Sequence, residues 1–265
     1  MIRAVLVGAA GRMGRAITVA AQSEGGLRFT GAVDAARSAA LGTDLGVHAG
    51  LAPLGVSIGS ELAPLLPCAD VVMDFSQPAV VGETLGRCAA ARVPLLVGTT
   101  GLGTEQLLAA EQAARSIAVL IAPNTSLGVT LLLELVRRAA AALPTDYDIE
   151  IFEAHHREKK DAPSGTALAL GRAAAQGRGR DFDDVAVRSR SGSGPRQPGE
   201  IGFAVQRAGD IVGEHSVTFA AAGERLVLGH VATDRAVFAR GALAAARWLA
   251  GRHAGRYTMA DVLSS

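Results

Sequence analysis

Aromatic residues are scarce in this chain: seven Phe, two Tyr and one Trp make up 4% of it. Charge of one sign is missing too, because 26 Lys and Arg stand against 25 Asp and Glu, a net charge of +1. A general polyanion binder needs a basic excess, so nucleic acid is not the expected partner. Cysteine is limited to Cys68 and Cys88, in apolar surroundings and without CxxC or Cys/His metal spacing. That favours buried thiols in a reducing compartment over a disulfide or a metal site. No apolar run is long enough to span a bilayer: those at 117–122 and 127–133 are short, and Glu134 and Arg137 follow. The first residues lack the basic leader and apolar core of a signal peptide. The reading is a soluble, cytoplasmic protein with no membrane partner. What remains, 265 residues at 49% hydrophobic and 19% charged, is enough for one large or two modest globular domains.

The chain opens with a short apolar, partly β-branched run at 2–7, then Gly8-Ala9-Ala10-Gly11-Arg12-Met13-Gly14, then a helical pattern from Arg15. Strand, glycine loop and helix in that order are the context of a dinucleotide-binding fingerprint. The spacing departs from the usual GxGxxG, with Ala10 where the second glycine stands, and alone it does not decide the matter. The next strand-like run, 27–33, ends in Asp34, twenty residues after Gly14. A carboxylate there accepts hydrogen bonds from adenosine ribose hydroxyls and repels a ribose phosphate. Ala35 supplies no guanidinium to receive that phosphate, although Arg37 is near. The cofactor reading leans to NADH and leaves NADPH open. After a Gly-rich irregular stretch at 36–57, strands at 70–75, 94–97 and 117–122 alternate with helices at 78–91 and 104–115. That pattern predicts parallel βαβ units in a doubly wound sheet. Two strand ends carry turn chemistry, Gly98-Thr99-Thr100-Gly101 and Ala122-Pro123-Asn124-Thr125-Ser126. Ligands in such sheets lie beyond the carboxyl ends of strands, so these loops are placed to touch the nicotinamide half of a dinucleotide. Plain connection is the alternative.

A long amphipathic helix at 128–143 leads into the second half. A strand at 147–154 then runs into Glu153-Ala154-His155-His156-Arg157-Glu158-Lys159-Lys160-Asp161-Ala162-Pro163-Ser164-Gly165-Thr166, followed by a helix to about 175. If the strand runs on through the histidines, its period of two points His155 and His156 apart, and they do not share one job. The helix start near Ser164 to Thr166 offers free N–H groups to an anion. Proton donors, cations and an anion cradle together suggest an acid/base site for a carboxylate substrate; a solvated charged loop is the plain alternative. The histidine pair lacks ligand spacing and acidic partners on one face, so no metal is indicated. The stretch 176–200 reads as a mobile, solvated loop able to close over a site, and its mixed charge argues against a nucleic-acid arm. Strands at 201–207, 212–220 and 225–231 follow, separated by hairpin signals at Gly209-Asp210 and Ala222-Gly223-Glu224. A last helix at 236–249 carries Trp248 and is expected to pack on the first domain. The expected architecture is α/β. A Rossmann domain at 1–126, completed by 236–265, accompanies an α+β domain at 127–235 with a mainly antiparallel sheet.

These motifs in this order resemble the dihydrodipicolinate reductase family. The run from Glu153 to Arg157, Lys159, and Asp161 to Ala167 carries most of the likeness. The glycine loop, Gly98 to Gly101, Ala122 to Asn124 with Ser126 and Gly128-Val129, and Arg207 to His215 add to it. The resemblance covers essentially the whole chain. It implies NAD(P)H-dependent reduction of a cyclic unsaturated dicarboxylate on the route to diaminopimelate and lysine. It also implies a homotetramer built through the substrate-domain sheets. On the family pattern His155 is the general acid/base and Lys159 the proton donor. His156 binds substrate, and Gly165 with Thr166 seat its carboxylate. Gly8, Ala9, Ala10, Gly11, Arg12, Met13, Asp34, Gly98, Thr99, Thr100, Ala122, Pro123, Asn124 and Thr125 match cofactor positions. Ala10, Ala35, Glu158 and Lys160 depart from the pattern. Another two-domain Rossmann dehydrogenase has no reason for the His-His-Arg and Pro-Ser-Gly-Thr run, and a non-catalytic nicotinamide-binding regulator has no need of the acid/base residues.

Overall fold

The computed structural model describes residues 1–264. In chain order the elements are β1 (Ile2–Val7), α1 (Arg12–Glu24), β2 (Leu27–Val33), α2 (Leu45–Ala49), β3 (Ile58–Gly59), β4 (Val71–Asp74), α3 (Pro78–Ala91), β5 (Leu95–Val97), α4 (Thr104–Ala113), β6 (Ala118–Ile121) and α5 (Leu127–Ala142). They continue with β7 (Asp148–His155), α6 (Gly165–Gly177), α7 (Phe182–Val185), β8 (Ala186–Val187), β9 (Ile201–Arg207), β10 (Gly213–Ala221), β11 (Glu224–Ala232), α8 (Ala236–Leu249), β12 (Gly255–Tyr257) and α9 (Met259–Leu263). Two compact units result. One holds Met1–Leu127 and the chain's return from Ala236 onward; the other is Gly128–Arg235.

The first unit is a seven-stranded sheet in the order β12-β6-β5-β4-β1-β2-β3, with every pairing parallel. Its strands are apolar on both faces because both are covered. In β1, Ala4 and Leu6 join a core with Ile17 of α1 and Leu243 of α8. Val5 and Val7 join the opposite core with Leu85 of α3 and Ala110 of α4. Strand order reverses between β1 and β4, which opens a crevice at their carboxyl ends. Helix α8 belongs to this unit, and Trp248 packs at its core edge in a T-shaped contact with Tyr257. The stretch 36–57 is less irregular than its glycines suggest. Asp44 caps α2, and its carboxylate accepts from the N–H groups of Gly46, Val47, Leu54 and Val56.

The second unit is a five-stranded mixed sheet, β11-β10-β7-β9-β8. Strand β10 pairs antiparallel with β11 and β7, whereas β7–β9 and β9–β8 are parallel. The hairpin expected at Ala222-Gly223-Glu224 joins β10 to β11. The one expected at Gly209-Asp210 does not form, because β7 lies between β9 and β10. Two-residue turn signals report a local reversal, not which strand occupies the neighbouring place. Helix α6 and the α5 residues Leu132, Val136 and Ala140 close the core over Ile149, Ile151, Phe203, Val217 and Phe219. The sheet's other face carries exposed Phe152, Val227 and Val231. The 176–200 stretch is not a bare loop. It contains α7 and β8, and Arg196 ties it to the Asp148 and Glu150 carboxylates and to the Ile149 carbonyl.

Candidate active site

At the carboxyl edge of the first unit's sheet, β1 ends and the chain turns at Gly8 with φ +79°; a Cβ there would stand 2.5 Å from the Phe75 carbonyl oxygen. No other residue type has room or the conformation. Gly14 closes on the Gly8 and Ala9 carbonyl oxygens, where a Cβ would stand 2.5 Å away, so the helix is drawn onto the loop. Gly11 is the N-cap of α1 with no side-chain cap, and the first turn, beginning at Arg12 and Met13, contains no acid. Leading N–H groups without intrahelical acceptors, at the positive end of a thirteen-residue helix, form an anion seat. Asp34 sits directly after β2. Its Oδ2 accepts from Ala10 N at 2.7 Å and its Oδ1 from Ala35 N at 2.8 Å. The carboxylate is thereby fixed over the glycine loop with lone pairs left for hydroxyl donors. These features fit a dinucleotide: anion seat for the pyrophosphate, close backbone approach, and acid for the ribose.

The other two loops behave differently from a reading that gives each residue an outward role. Gly98 follows β5 and leaves its Cβ space to the Phe75 ring. Thr99 is buried, and its hydroxyl donates to Asp74 Oδ1 at 3.2 Å; Thr100 is exposed. After β6, Ala122 is buried, Pro123 exposed, and Asn124 Oδ1 accepts from Ser126 N at 2.9 Å. The buried Thr125 hydroxyl donates to the Phe238 carbonyl at 2.6 Å. Thr99 and Thr125 therefore shape their loops from inside, and Thr100, Pro123, Asn124 and the backbone form the outer surface. Asp74 was not evident from the sequence. It is fully buried at the end of β4, accepts from Ser76 N, Ser76 Oγ and Thr99 Oγ1, and so ties two loops together. Burial, with the Asp74 charge adding, pushes the nearby Cys88 thiol up to about 12, so it stays protonated and unreactive.

In the second unit, β7 sends Ile149, Ile151, Glu153 and His155 to the α6 face, where all four are buried. Glu153 and His155 are thus neighbours two residues apart on one face. His155 Nδ1 lies 2.6 Å from Glu153 Oε2. Arg207, at the end of β9, donates to both Glu153 oxygens at 2.8 Å, and Ser164 N donates to Oε1 at 2.9 Å. Burial alone would raise the Glu153 carboxyl, but the hydrogen bonds from His155, Arg207 and Ser164 outweigh it and hold it at about 2. Ser164 is the N-cap of α6: its Oγ accepts from Ala167 N at 3.1 Å and stands 3.0 Å from His215 Nε2. His215 meets His155 edge to face at 5.1 Å between ring centres. Burial, then the nearby His155, pushes His215 down to about 4, so its ring is neutral near pH 7. Helix α6 thus begins beside the Glu153–His155 pair, with Gly165 exposed and open space where its Cβ would be. Lys159 Nζ pairs with Asp161 Oδ1 at 2.9 Å, and the Asp161 carbonyl accepts from Arg207 Nη2 at 2.6 Å. One polar chain therefore links Lys159, Asp161, Arg207, Glu153, His155 and Ser164.

His156 stands apart from this chain. It is half-buried and lines a cavity of about 540 Å³ with Arg157, Glu158, Gly209, Asp210, Val212, Thr233, Asp234 and Arg235. Its Nε2 is 3.4 Å from Arg235 Nη2. Neither His155 nor Gly165 and Thr166 line that cavity. The assembly of Glu153, Arg207, Ser164 and His215 into one cluster was not legible in the sequence, where only Ser164, at the helix start, carries a role. The signal for Glu153 was present in the period of two through Ile149, Ile151, Glu153 and His155; the pairing with Arg207 needs the β7–β9 register, in which His155 lies opposite Arg207. Among the described residues no group of three or more His, Cys, Asp or Glu is placed to hold a metal ion.

Comparison with known proteins agrees across both units. Residues 2–125 match the family model for the N-terminus of dihydrodipicolinate reductase, and residues 128–263 match that for its C-terminus. A 4-hydroxy-tetrahydrodipicolinate reductase of Alkalilimnicola ehrlichii is 50% identical over 262 residues, covering 98% of each chain. Its counterpart in Parvibaculum lavamentivorans is 49% identical over 264 residues, 99% of this chain and 97% of that one. Among solved structures, a dipicolinate-bound dihydrodipicolinate reductase from Paenisporosarcina sp. TG-14 superposes with a TM-score of 0.76 at 24% identity, covering 97% of each chain. An amine dehydrogenase from Mycobacterium smegmatis gives 0.64 at 15% identity over 98% of this chain and 95% of that one. At these identities the two structures speak to the fold alone.

Proposed function

The chain belongs to the dihydrodipicolinate reductase family, and from that premise we propose that it reduces 4-hydroxy-tetrahydrodipicolinate to tetrahydrodipicolinate in diaminopimelate and lysine biosynthesis, in the cytoplasm. The observation that carries this reading is the buried Glu153–His155 pair held against the N-cap of α6, Ser164, whose N–H donates to the same carboxylate. A bound reduced nicotinamide supplies the hydride. Gly8 to Met13 and the start of α1 hold its pyrophosphate, Asp34 its adenosine ribose, and the loops at Gly98–Thr100 and Ala122–Thr125 its nicotinamide half. The Asp34 carboxylate accepts from two backbone N–H groups and is fixed where a ribose phosphate would meet a negative charge. That supports a preference for NADH, with NADPH as the weaker substrate.

In the second unit the substrate is a dicarboxylate, the class to which the dipicolinate bound by the Paenisporosarcina enzyme belongs. Gly165 and Thr166, at the positive end of α6, seat one carboxylate, and His156 in its cavity holds the ring from another side. Hydride addition to a carbon conjugated with an imine drives electrons toward nitrogen, so a neighbouring carbon must gain a proton. An imidazole is suited to that transfer near neutral pH. His155 serves as acid/base, with its Nδ1 held by Glu153 and its Nε2 as the exchanging atom. Lys159 donates a proton and assists departure of the substrate hydroxyl. The exposed Phe152, Val227 and Val231 support assembly into a homotetramer through this sheet face. The function is tested by coupling the protein to dihydrodipicolinate synthase with pyruvate and aspartate semialdehyde, and following NADH and NADPH absorbance separately. Oxidation of NADH in excess of NADPH is expected; oxidation of neither sinks the reading.

A further inference from the structure

We propose that Glu153 is the positioning residue of this site, a single buried carboxylate that fixes the tautomer of His155 and, through Ser164, the seat at the start of α6. The inference rests on the reading of His155 as acid/base. Glu153 has no exposed surface, and each of its oxygens takes two donors. Oε1 accepts from Ser164 N and Arg207 Nη2; Oε2 accepts from His155 Nδ1 and Arg207 Nη1. A purely structural ion pair would be complete with Arg207 and the Ser164 backbone. The contact left over is the 2.6 Å approach of the His155 ring. An ionised carboxylate only accepts, so the proton on the neutral ring must sit on Nδ1, and Nε2 carries the lone pair. When Nε2 takes a proton, the same carboxylate faces the resulting imidazolium.

The surroundings leave Nε2 free for exchange. It stands 3.1 Å from where a Cβ on Gly213 would lie, so the absence of a side chain there keeps space open beside it. The other charged or titratable groups beside His155 are Arg207, its register partner on β9 and bound to Glu153, and His215 from β10, at 5.1 Å between ring centres. Neither of these touches Nδ1, so Glu153 alone sets the tautomer. The sharing of one carboxylate by the ring and by Ser164 N ties the acid/base to the helix that seats the substrate. Removing the charge then affects turnover and substrate binding together, and leaves the dinucleotide site of the other unit untouched.

The test is Glu153→Gln, alone and combined with His155→Ala. The amide keeps the shape, but its NH₂ can donate to Nδ1, so both tautomers become accessible. The expected result is a kcat loss of roughly 10²-fold or more, a weaker affinity for dipicolinate and an unchanged Kd for NADH. At saturating substrate the kcat of the double variant should be no lower than that of His155→Ala alone, because on turnover Glu153 acts through that ring, while its effect on dipicolinate affinity, which runs through Ser164, persists. Additive losses of kcat, or wild-type turnover in Glu153→Gln, would overturn the inference. Wild-type turnover in His155→Ala would instead overturn the acid/base reading on which it rests. A measurement on the unaltered protein guards against a variant that fails to fold: ¹⁵N shifts of labelled histidine should report His155 as the Nδ1–H tautomer, and an Nε2–H tautomer contradicts the proposal.

Discussion

Asp34 shows how much a single side chain decides at the residue scale. Its two oxygens are already engaged by Ala10 N and Ala35 N, so the carboxylate cannot swing away to admit a phosphate. On the coenzyme preference proposed above, the choice rests on charge at this one fixed point, with Ala35 supplying no cation beside it. Replacing Asp34 by Ala removes the repulsion and also the acceptor for ribose hydroxyls. A hydrogen bond to a charged group contributes about 1.5–3 kcal/mol, so kcat/KM for NADH should fall roughly tenfold or more while that for NADPH falls less. Steady-state kinetics with the two coenzymes check this. Equal losses for both would mean that Asp34 does not read the ribose.

At the scale of elements, the start of α6 is where packing and chemistry meet. Ser164 caps the helix, Glu153 receives its N–H, and His215 from β10 stands against its hydroxyl. His215 is neutral because burial disfavours its charge, and its Nδ1 has no hydrogen-bond partner. The consequence for stability has a definite sign. The folded-state value, about 4, lies below the ordinary 6.5, so the unfolded chain binds the extra proton between those pH values. The stabilisation is fully present above pH 6.5 and is lost as the pH falls through 4, to the extent of ~3 kcal/mol. The Glu153 carboxyl, held at about 2, loses its own contribution only below the ordinary carboxylate range. Urea midpoints measured from pH 7 to pH 4.5 should therefore fall in the native protein and fall less steeply in His215→Gln. Parallel curves for the two proteins would remove His215 from the account.

For the whole molecule, the open face of the second unit's sheet makes a prediction about assembly. Phe152, Val227 and Val231 leave an apolar strip that a monomer would expose to water. Val227→Lys places a charge in it and, on the homotetramer proposed above, should yield smaller species by light scattering, with each chain still folded by circular dichroism. An unchanged mass would place the interface elsewhere. How much of this organisation was legible in the sequence depended on the range of the interactions involved. The glycine loop, Asp34 and the alternation of strands with helices are local signals, and they led to the Rossmann unit. The order of strands in the second sheet is not local: β7 inserts between β9 and β10, which turn residues at Gly209-Asp210 do not encode. The same holds for the site. His155 and Lys159 stand in one short run, whereas Arg207 and His215 reach Glu153 and Ser164 only through strand pairings that span more than fifty residues. Asp74 was hidden for a simpler reason: an acid ending an apolar strand reads as a turn residue until burial shows it joining two loops.

On the proposed mechanism His155, with Lys159, supplies the protons that accompany hydride transfer. Single-turnover reduction of enzymatically generated substrate, at saturating NADH, compares the native protein with His155→Ala and Lys159→Ala. Loss of a positioned acid or base costs roughly 10²–10⁴-fold in rate, so each variant should slow by that order while its Kd for NADH, read by fluorescence titration, stays the same. Native single-turnover rates in both variants would contradict the account.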